Sequence, residues 1–130
     1  MNYLKVFEKA VDRYAQSVAL VDQEGKRSIT YSELDALTDK IAGKIIALGI
    51  PVSSFIMVNM NRCMEYIASA LGILKAGCAI VPMISEYPQE RIDTIMVDCQ
   101  SPLMITEAFF SDIDDYAPGR RMVEDDAPAY

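Results

Sequence analysis

Leu71-Gly72-Ile73-Leu74-Lys75-Ala76-Gly77-Cys78-Ala79-Ile80-Val81-Pro82-Met83 carries a helix end, a stop and a buried strand in one stretch. Upstream of it, Met64, Ile67, Ala68, Leu71 and Leu74 recur at helical spacing, behind an asparagine, Asn61, able to cap a first turn. Gly77 stands where a helix takes a left-handed terminator. Cys78 to Met83 is then apolar almost without a break, the pattern of a strand covered on both faces. A buried strand entered from a one-sided helix implies a crossover onto a parallel sheet.

The same alternation extends in both directions. Phe55-Ile56-Met57-Val58 is a second buried strand, and Pro102-Leu103-Met104-Ile105-Thr106 a third. Between them, Pro88 fits the first position of a helix whose Ile92, Ile95, Met96 and Cys99 share a face. Ahead of Phe55, Thr30 and Glu33 stand in capping-box relation and open a helix over 31–48. Its stripe is Leu34, Leu37, Ile41, Ile45 and Leu48, closed by Gly49 and Pro51. Val18-Ala19-Leu20-Val21 and Ser28-Ile29-Thr30 flank a polar turn with Gly25 and read as a hairpin. Before them, Leu4, Phe7, Val11 and Tyr14 mark a helix over 3–16. After Thr106, Phe109, Phe110 and Ile113 suggest one helical turn, and Arg121-Met122-Val123 a final strand. The fold class is therefore α/β: a mainly parallel sheet with helices on both faces and an N-terminal hairpin.

Composition narrows the function. The chain has 130 residues, 52% hydrophobic and 24% charged, enough for one domain burying roughly 65–70% of its unfolded surface. Histidine is absent, which removes the Ser-His-Asp triad, the Cys-His pair and the imidazole base. Cys63, Cys78 and Cys99 form no CxxC pair and read as reduced core thiols, hence a cytoplasmic setting. The eight methionines fall on core stripes and read as packing. A net charge of −7 argues against nucleic acid, and no apolar run approaches the ~20 residues of a membrane span. Seven acids (Glu107, Asp112, Asp114, Asp115, Glu124, Asp125 and Asp126) face only Arg120 and Arg121 after Thr106, which places −5 of the −7 there. That segment is either a lure for a basic partner or a solvated edge.

Ligands of an open parallel sheet bind beyond the carboxyl ends of its strands. Two loops are expected there. Asn59-Met60-Asn61-Arg62 could hold an anion or be a plain capped turn; Ser85-Glu86-Tyr87-Pro88 offers a lone acid, Glu86, without a partner acid. No glycine-rich phosphate loop occurs. From residues alone, the chain is an α/β domain without an active site of its own.

Two motifs add to this. Ser28-Ile29-Thr30-Tyr31-Ser32-Glu33-Leu34-Asp35 resembles the first core motif of amino-acid adenylation domains, commonly (L/I)TYxEL. Leu71 to Met83 resembles the second, usually LKAGxAYVPL, and Glu86-Tyr87-Pro88-Gln89-Glu90-Arg91-Ile92 is similar to the family's YPxERI. The family is the adenylate-forming ligases: nonribosomal peptide synthetase adenylation domains, D-alanine carrier-protein ligases and acyl-CoA synthetases. Ser53-Ser54, Ile80 and Ile84-Ser85 depart from its usual residues and bear on the subfamily.

The resemblance implies that 1–130 is the N-terminal part of an AMP-binding domain, ending just before the phosphate loop, to which Asp125-Asp126-Ala127-Pro128-Ala129-Tyr130 looks like the lead-in. For the parent enzyme it implies ATP and Mg2+, acyl-adenylate formation and transfer to a phosphopantetheine thiol on a carrier protein. It carries no catalytic, cofactor-binding or metal-binding residue onto this chain, because those lie downstream in the family. The isolated segment is expected to be inactive and to self-associate through an uncovered sheet edge or an exchanged terminal segment. The alternatives are part of an acyl-CoA synthetase, or a complete, non-catalytic α/β interaction domain; a phosphoryl-accepting receiver domain fits less well, since the first strand brings no acidic cluster.

Overall fold

Tyr3–Tyr14 forms helix α1, with Phe7 buried and Leu4 and Val11 packed beside it, while Tyr14, at the last residue, stays exposed. The structure is a computed structural model and describes residues 3–22, 24–61, 63–83 and 86–121. β1 (Val18–Val21) and β2 (Ser28–Thr30) pair antiparallel, as expected, with an irregularity between Val18 and Leu20. Gly25 turns the chain at φ +70°, and Asp22 Oδ1 accepts the Lys26 N–H at 2.8 Å. Desolvation acts to raise the Asp22 carboxyl, but the N–H groups of Arg27 and Lys26 bring it below the usual carboxylate range.

Thr30 ends β2 and caps α2 (Tyr31–Ala47). Its Oγ1 accepts the Glu33 N–H at 3.1 Å, and Glu33 Oε1 accepts the Thr30 N–H at 2.9 Å. The capping box thus satisfies two orphan donors at once. Gly49, at φ +77°, donates its N–H to Ile46 and ends the helix where expected. Leu34, Ile41 and Ile45 are buried. Leu48 departs from the expected stripe: it is the C-cap residue, where the chain swings away, and it is exposed.

β3 (Phe55–Val58), α3 (Cys63–Lys75), β4 (Ala79–Pro82), α4 (Gln89–Asp98) and β5 (Met104–Ile105) follow in the predicted order. The three strands form a parallel sheet ordered β4-β3-β5. Alternation along β3 assigns the two faces. Ile56 and Val58 join Ile41, Ile45, Ala68 and Ile73 in the main core, whereas Met57 joins Met83 and Ile92 under α4. Helices therefore cover both faces.

Four details differ from the sequence pattern. The third strand shrinks to Met104–Ile105: Pro102 has no N–H to give, although Leu103 O still accepts the Met57 N–H of β3 at 3.1 Å. Pro88 sits one position before α4 rather than inside it. On α3, Ile67 is exposed and Ile73 fully buried, because the helix packs on α2 as well as on the sheet. Phe109 and Ile113 are buried on two short 3-10 turns, Glu107–Phe110 and Ile113–Asp115, not on one turn of α-helix. Of the expected final strand, Met122 and Val123 lie outside the described residues.

α2 and α3 cross closely at Gly72. A Cβ there would meet Ile41 Cγ2 at 2.4 Å and Ile41 Cβ at 2.6 Å. Alanine is the better helix former by about 1 kcal/mol, yet overpacking a core contact costs about 1–3 kcal/mol. Gly72→Ala is therefore expected to lower the midpoint of urea unfolding, whereas Gly→Ala at an open helical site would raise it.

The capping box gives a pH-dependent prediction. Hydrogen bonds from the Thr30 backbone and side chain hold the Glu33 carboxyl below its ordinary 4.5. A lowered folded-state pKa means the stabilisation is full above that value and is lost as pH falls through the lower one. Thr30→Ala should cost about 0.5–2 kcal/mol at neutral pH. In urea titrations, the deficit of Glu33→Ala, which removes the titrating carboxylate, should shrink as the solution is acidified below pH 4.5.

Candidate functional site

The carboxyl edge of the sheet gathers the two loops singled out by sequence, because Val58, Pro82 and Ile105 stand side by side in register. Asn59 N–H donates to Ile105 O at 2.9 Å, and Met83 N–H donates to Val58 O at 2.9 Å. Met60 is buried in the main core. The Asn61 N–H, a candidate anion donor, points to the chain's own carboxylate, Glu107 Oε1, at 3.4 Å. α3 begins at Cys63; Arg62, just before it, and Ser85 lie outside the described residues. Glu86 is exposed, and among the described residues it forms no ion pair. Tyr87 is half-buried and carries the Arg91 guanidinium 4.3 Å from its ring centroid.

The strongest electrostatic feature lies elsewhere and was not read from the sequence. Lys75, at the last residue of α3, has no solvent exposure. Its ammonium donates to Asp35 Oδ1 at 2.6 Å, Asp39 Oδ1 at 2.9 Å and Asp35 O at 3.1 Å. All three protons are thereby used. The Phe7 ring lies 5.4 Å from the same nitrogen. One cation thus ties α1, α2 and α3. The signal available in the sequence was weak: Asp35 and Asp39 are four apart, hence on one helix face, and Lys75 interrupts an apolar run.

Lys44 is the second buried cation. It donates to Asp112 Oδ1 at 2.7 Å and to Phe109 O at 2.8 Å, with the Phe109 ring centroid 4.3 Å away. Lys40 donates to Asp114 Oδ1 at 2.9 Å. Asp112 and Asp114 thus pair with cations of α2, while Glu107 and Asp114 remain solvent-exposed, in keeping with a solvated edge. Of the thiols, burial pushes Cys78 up against the opposing N–H groups of Ser54 and Ser53 and the Arg121 guanidinium. Cys99 is half-buried, its Sγ 2.9 Å from Ile95 O. Both fit the expected core role.

Among the described residues, no three His, Cys, Asp or Glu side chains are grouped to hold a metal ion, and no helix is long and apolar enough to cross a membrane. They also provide no glycine-rich cradle for ATP phosphates, so no chemical step is assigned to them.

These features define a class: a parallel α/β subdomain whose buried cations, Lys44 and Lys75, serve its own packing. The family model described as AMP-binding enzyme matches residues 7–129, and the chain belongs to that family of adenylate-forming ligases. It is 39% identical over 103 residues to malpibaldin synthetase of Mortierella alpina, covering 79% of this chain and 2% of that protein. In structure it is similar to the nonribosomal peptide synthetase FmoA3 (TM-score 0.89, 20% identity, 100% of this chain and 16% of that one). It is also similar to the N-terminal subdomain of Klebsiella oxytoca NpsA (TM-score 0.83, 19% identity, 97% of this chain and 36% of that one).

The buried ammonium makes a definite prediction. Breaking a buried ion pair costs about 3–5 kcal/mol, and the partly exposed carboxylates reduce this, so Lys75→Ala should cost about 2–4 kcal/mol. Lys75→Arg should not restore it, because a planar fork cannot place three protons as the ammonium does. Urea unfolding of both variants checks this.

Proposed function

We propose that this chain is the N-terminal portion of an amino-acid adenylation domain. The observation that carries the proposal is the AMP-binding match over residues 7–129, on a fold similar to an N-terminal subdomain. In the whole domain, an amino-acid carboxylate attacks the α-phosphate of Mg-ATP. One acyl–phosphate bond forms, the bond to pyrophosphate breaks, and pyrophosphate leaves with its electron pair. The acyl group then passes to a carrier protein's phosphopantetheine thiol, and AMP departs. The contribution of this chain is scaffold: α2, α3 and the parallel strands support the segments that hold nucleotide and substrate.

β4 and β5 are the edge strands among the described residues. In the parent domain these edges would meet the rest of the protein; in the isolated chain they would pair with a second copy. Cys78, buried, and Cys99, half-buried, suit a reducing cytoplasm.

The test is amino-acid-dependent ATP–pyrophosphate exchange. A longer chain carrying this stretch and its continuation should exchange label with one or a few amino acids, and the 130-residue chain with none. Exchange driven by fatty acids would favour an acyl-CoA synthetase, and exchange by the short chain would contradict the scaffold role. Light scattering of the short chain should show dimers growing with concentration; a strict monomer at all concentrations would argue against exposed pairing edges.

A further inference from the structure

Helix α1 keeps two cations without a partner. Leu4, Phe7 and Val11 pack inward, which leaves Val6, Lys9 and Arg13 on the outer side at successive turns. Lys9 and Arg13 form no ion pair or ring contact among the described residues, whereas Lys26, Arg27, Lys40, Lys44, Lys75 and Arg120 each hold an acid. Like charges four residues apart repel, so this face is short of carboxylates. An apolar stripe of Val6, Ala10 and Tyr14 runs beside the cations, with Val6 55% and Tyr14 51% exposed. Asp12, also exposed, borders them on the flank away from Val6.

Helix α4 carries the counterpart. Ile92, Ile95 and Met96 pack inward, and Glu90, Asp93 and Val97 lie exposed on the outer side. Val97 is 74% exposed, the most of any large hydrophobic side chain among the described residues. Asp93 Oδ1 accepts from Gln89 Nε2 at 2.7 Å, but neither Asp93 nor Glu90 meets a cation among the described residues. The two patterns match in reverse. Val6, Lys9 and Arg13 are three and four residues apart; Val97, Asp93 and Glu90, read backwards, are four and three apart. Run antiparallel, two such helices set Val6 against Val97, Lys9 beside Asp93 and Arg13 beside Glu90.

One molecule cannot make this contact with itself. Phe7 of α1 packs in the main core, and Ile92 of α4 in the cluster on the other face of the sheet. From this complementarity we propose that α1 of one copy docks on α4 of a second copy of this chain. The two surfaces differ, so the contact is head-to-tail and need not stop at two copies. Its size puts it among small, transient interfaces, formed in proportion to concentration. It is independent of the adenylation reading and distinct from pairing of the sheet edges.

Sedimentation velocity of the 130-residue chain, in a concentration series up to about 1 mM, tests it. Raising salt from about 10 mM to about 1 M shortens the screening length from about 30 Å to about 3 Å, and should weaken association about tenfold or more. Edge pairing between copies of charge −7 should respond in the opposite sense. Lys9→Glu with Arg13→Glu should weaken association at least about tenfold at low salt. Glu90→Lys with Asp93→Lys should do the same, although it makes the chain less acidic and would aid any contact limited by overall repulsion. All four changes in one chain restore opposite charges and should return association to within about threefold of wild type. The positions are exposed, and the salt series on the wild-type chain stands should any variant fail to fold. A chain monomeric throughout, association that strengthens with salt and ignores both reversals, or reversals that the four-fold change does not repair would each overturn the proposal.

Discussion

An ammonium group removed from water must find an acceptor for every proton, and Lys75 finds its acceptors on a different helix from its own. That requirement fixes how deeply α3 slides along α2, since Asp35 and Asp39 lie one turn apart on α2. The same register brings Gly72 against Ile41, where only a missing Cβ permits the approach. It also sets Phe7 of α1 against the charge. The pairing of α2 with α3 is thus specified by charge and by shape together. The parallel sheet beneath it supplies apolar burial through Ile56, Val58 and Ile73, but less selectivity, because aliphatic contacts tolerate sliding.

Local signals in the chain were legible in proportion to how local their physics is. The Thr30–Glu33 capping box, the left-handed glycines at 49 and 77 and the alternation of buried strands with one-sided helices each depend on a few neighbouring residues. What escaped was set by distant partners. Leu48 continues the helical spacing but falls where the chain turns out, and Ile73 lies off the marked stripe but faces a second helix. Lys75, Lys44 and their acids gave almost no pattern, because their partners are up to 68 positions away in sequence. The ion pairs of the acidic segment were illegible for the same reason: Asp112 and Asp114 meet their partners only once α2 lies beside them.

The candidate site follows the same division. The loops at the sheet's carboxyl edge were placed correctly by the βαβ rule. Their chemistry was not, since Glu107 takes the Asn61 N–H that could have met an anion. Resemblance of two motifs to the adenylate-forming ligases agrees with a family match over residues 7–129, and both fall on the elements that build the α2–α3 crossing. The first motif supplies Thr30, Glu33 and Asp35; the second supplies Gly72, Lys75 and Gly77. In this chain the motifs read physically as a cap, a pair of close-packed helices and a buried ion cluster.

If the Lys75 crossing organises both the helices and residues 116–121, whose Gly119 and Arg121 N–H groups donate to Asp39 O and Lys75 O, native-state hydrogen exchange measures it directly. The Gly119 and Arg121 amides should open with the same free energy as Ile41 and Ile45 in α2, as one cooperative unit. Exchange of Gly119 and Arg121 as fast as the exposed hairpin turn near Lys26, while α2 stays protected, would contradict the account.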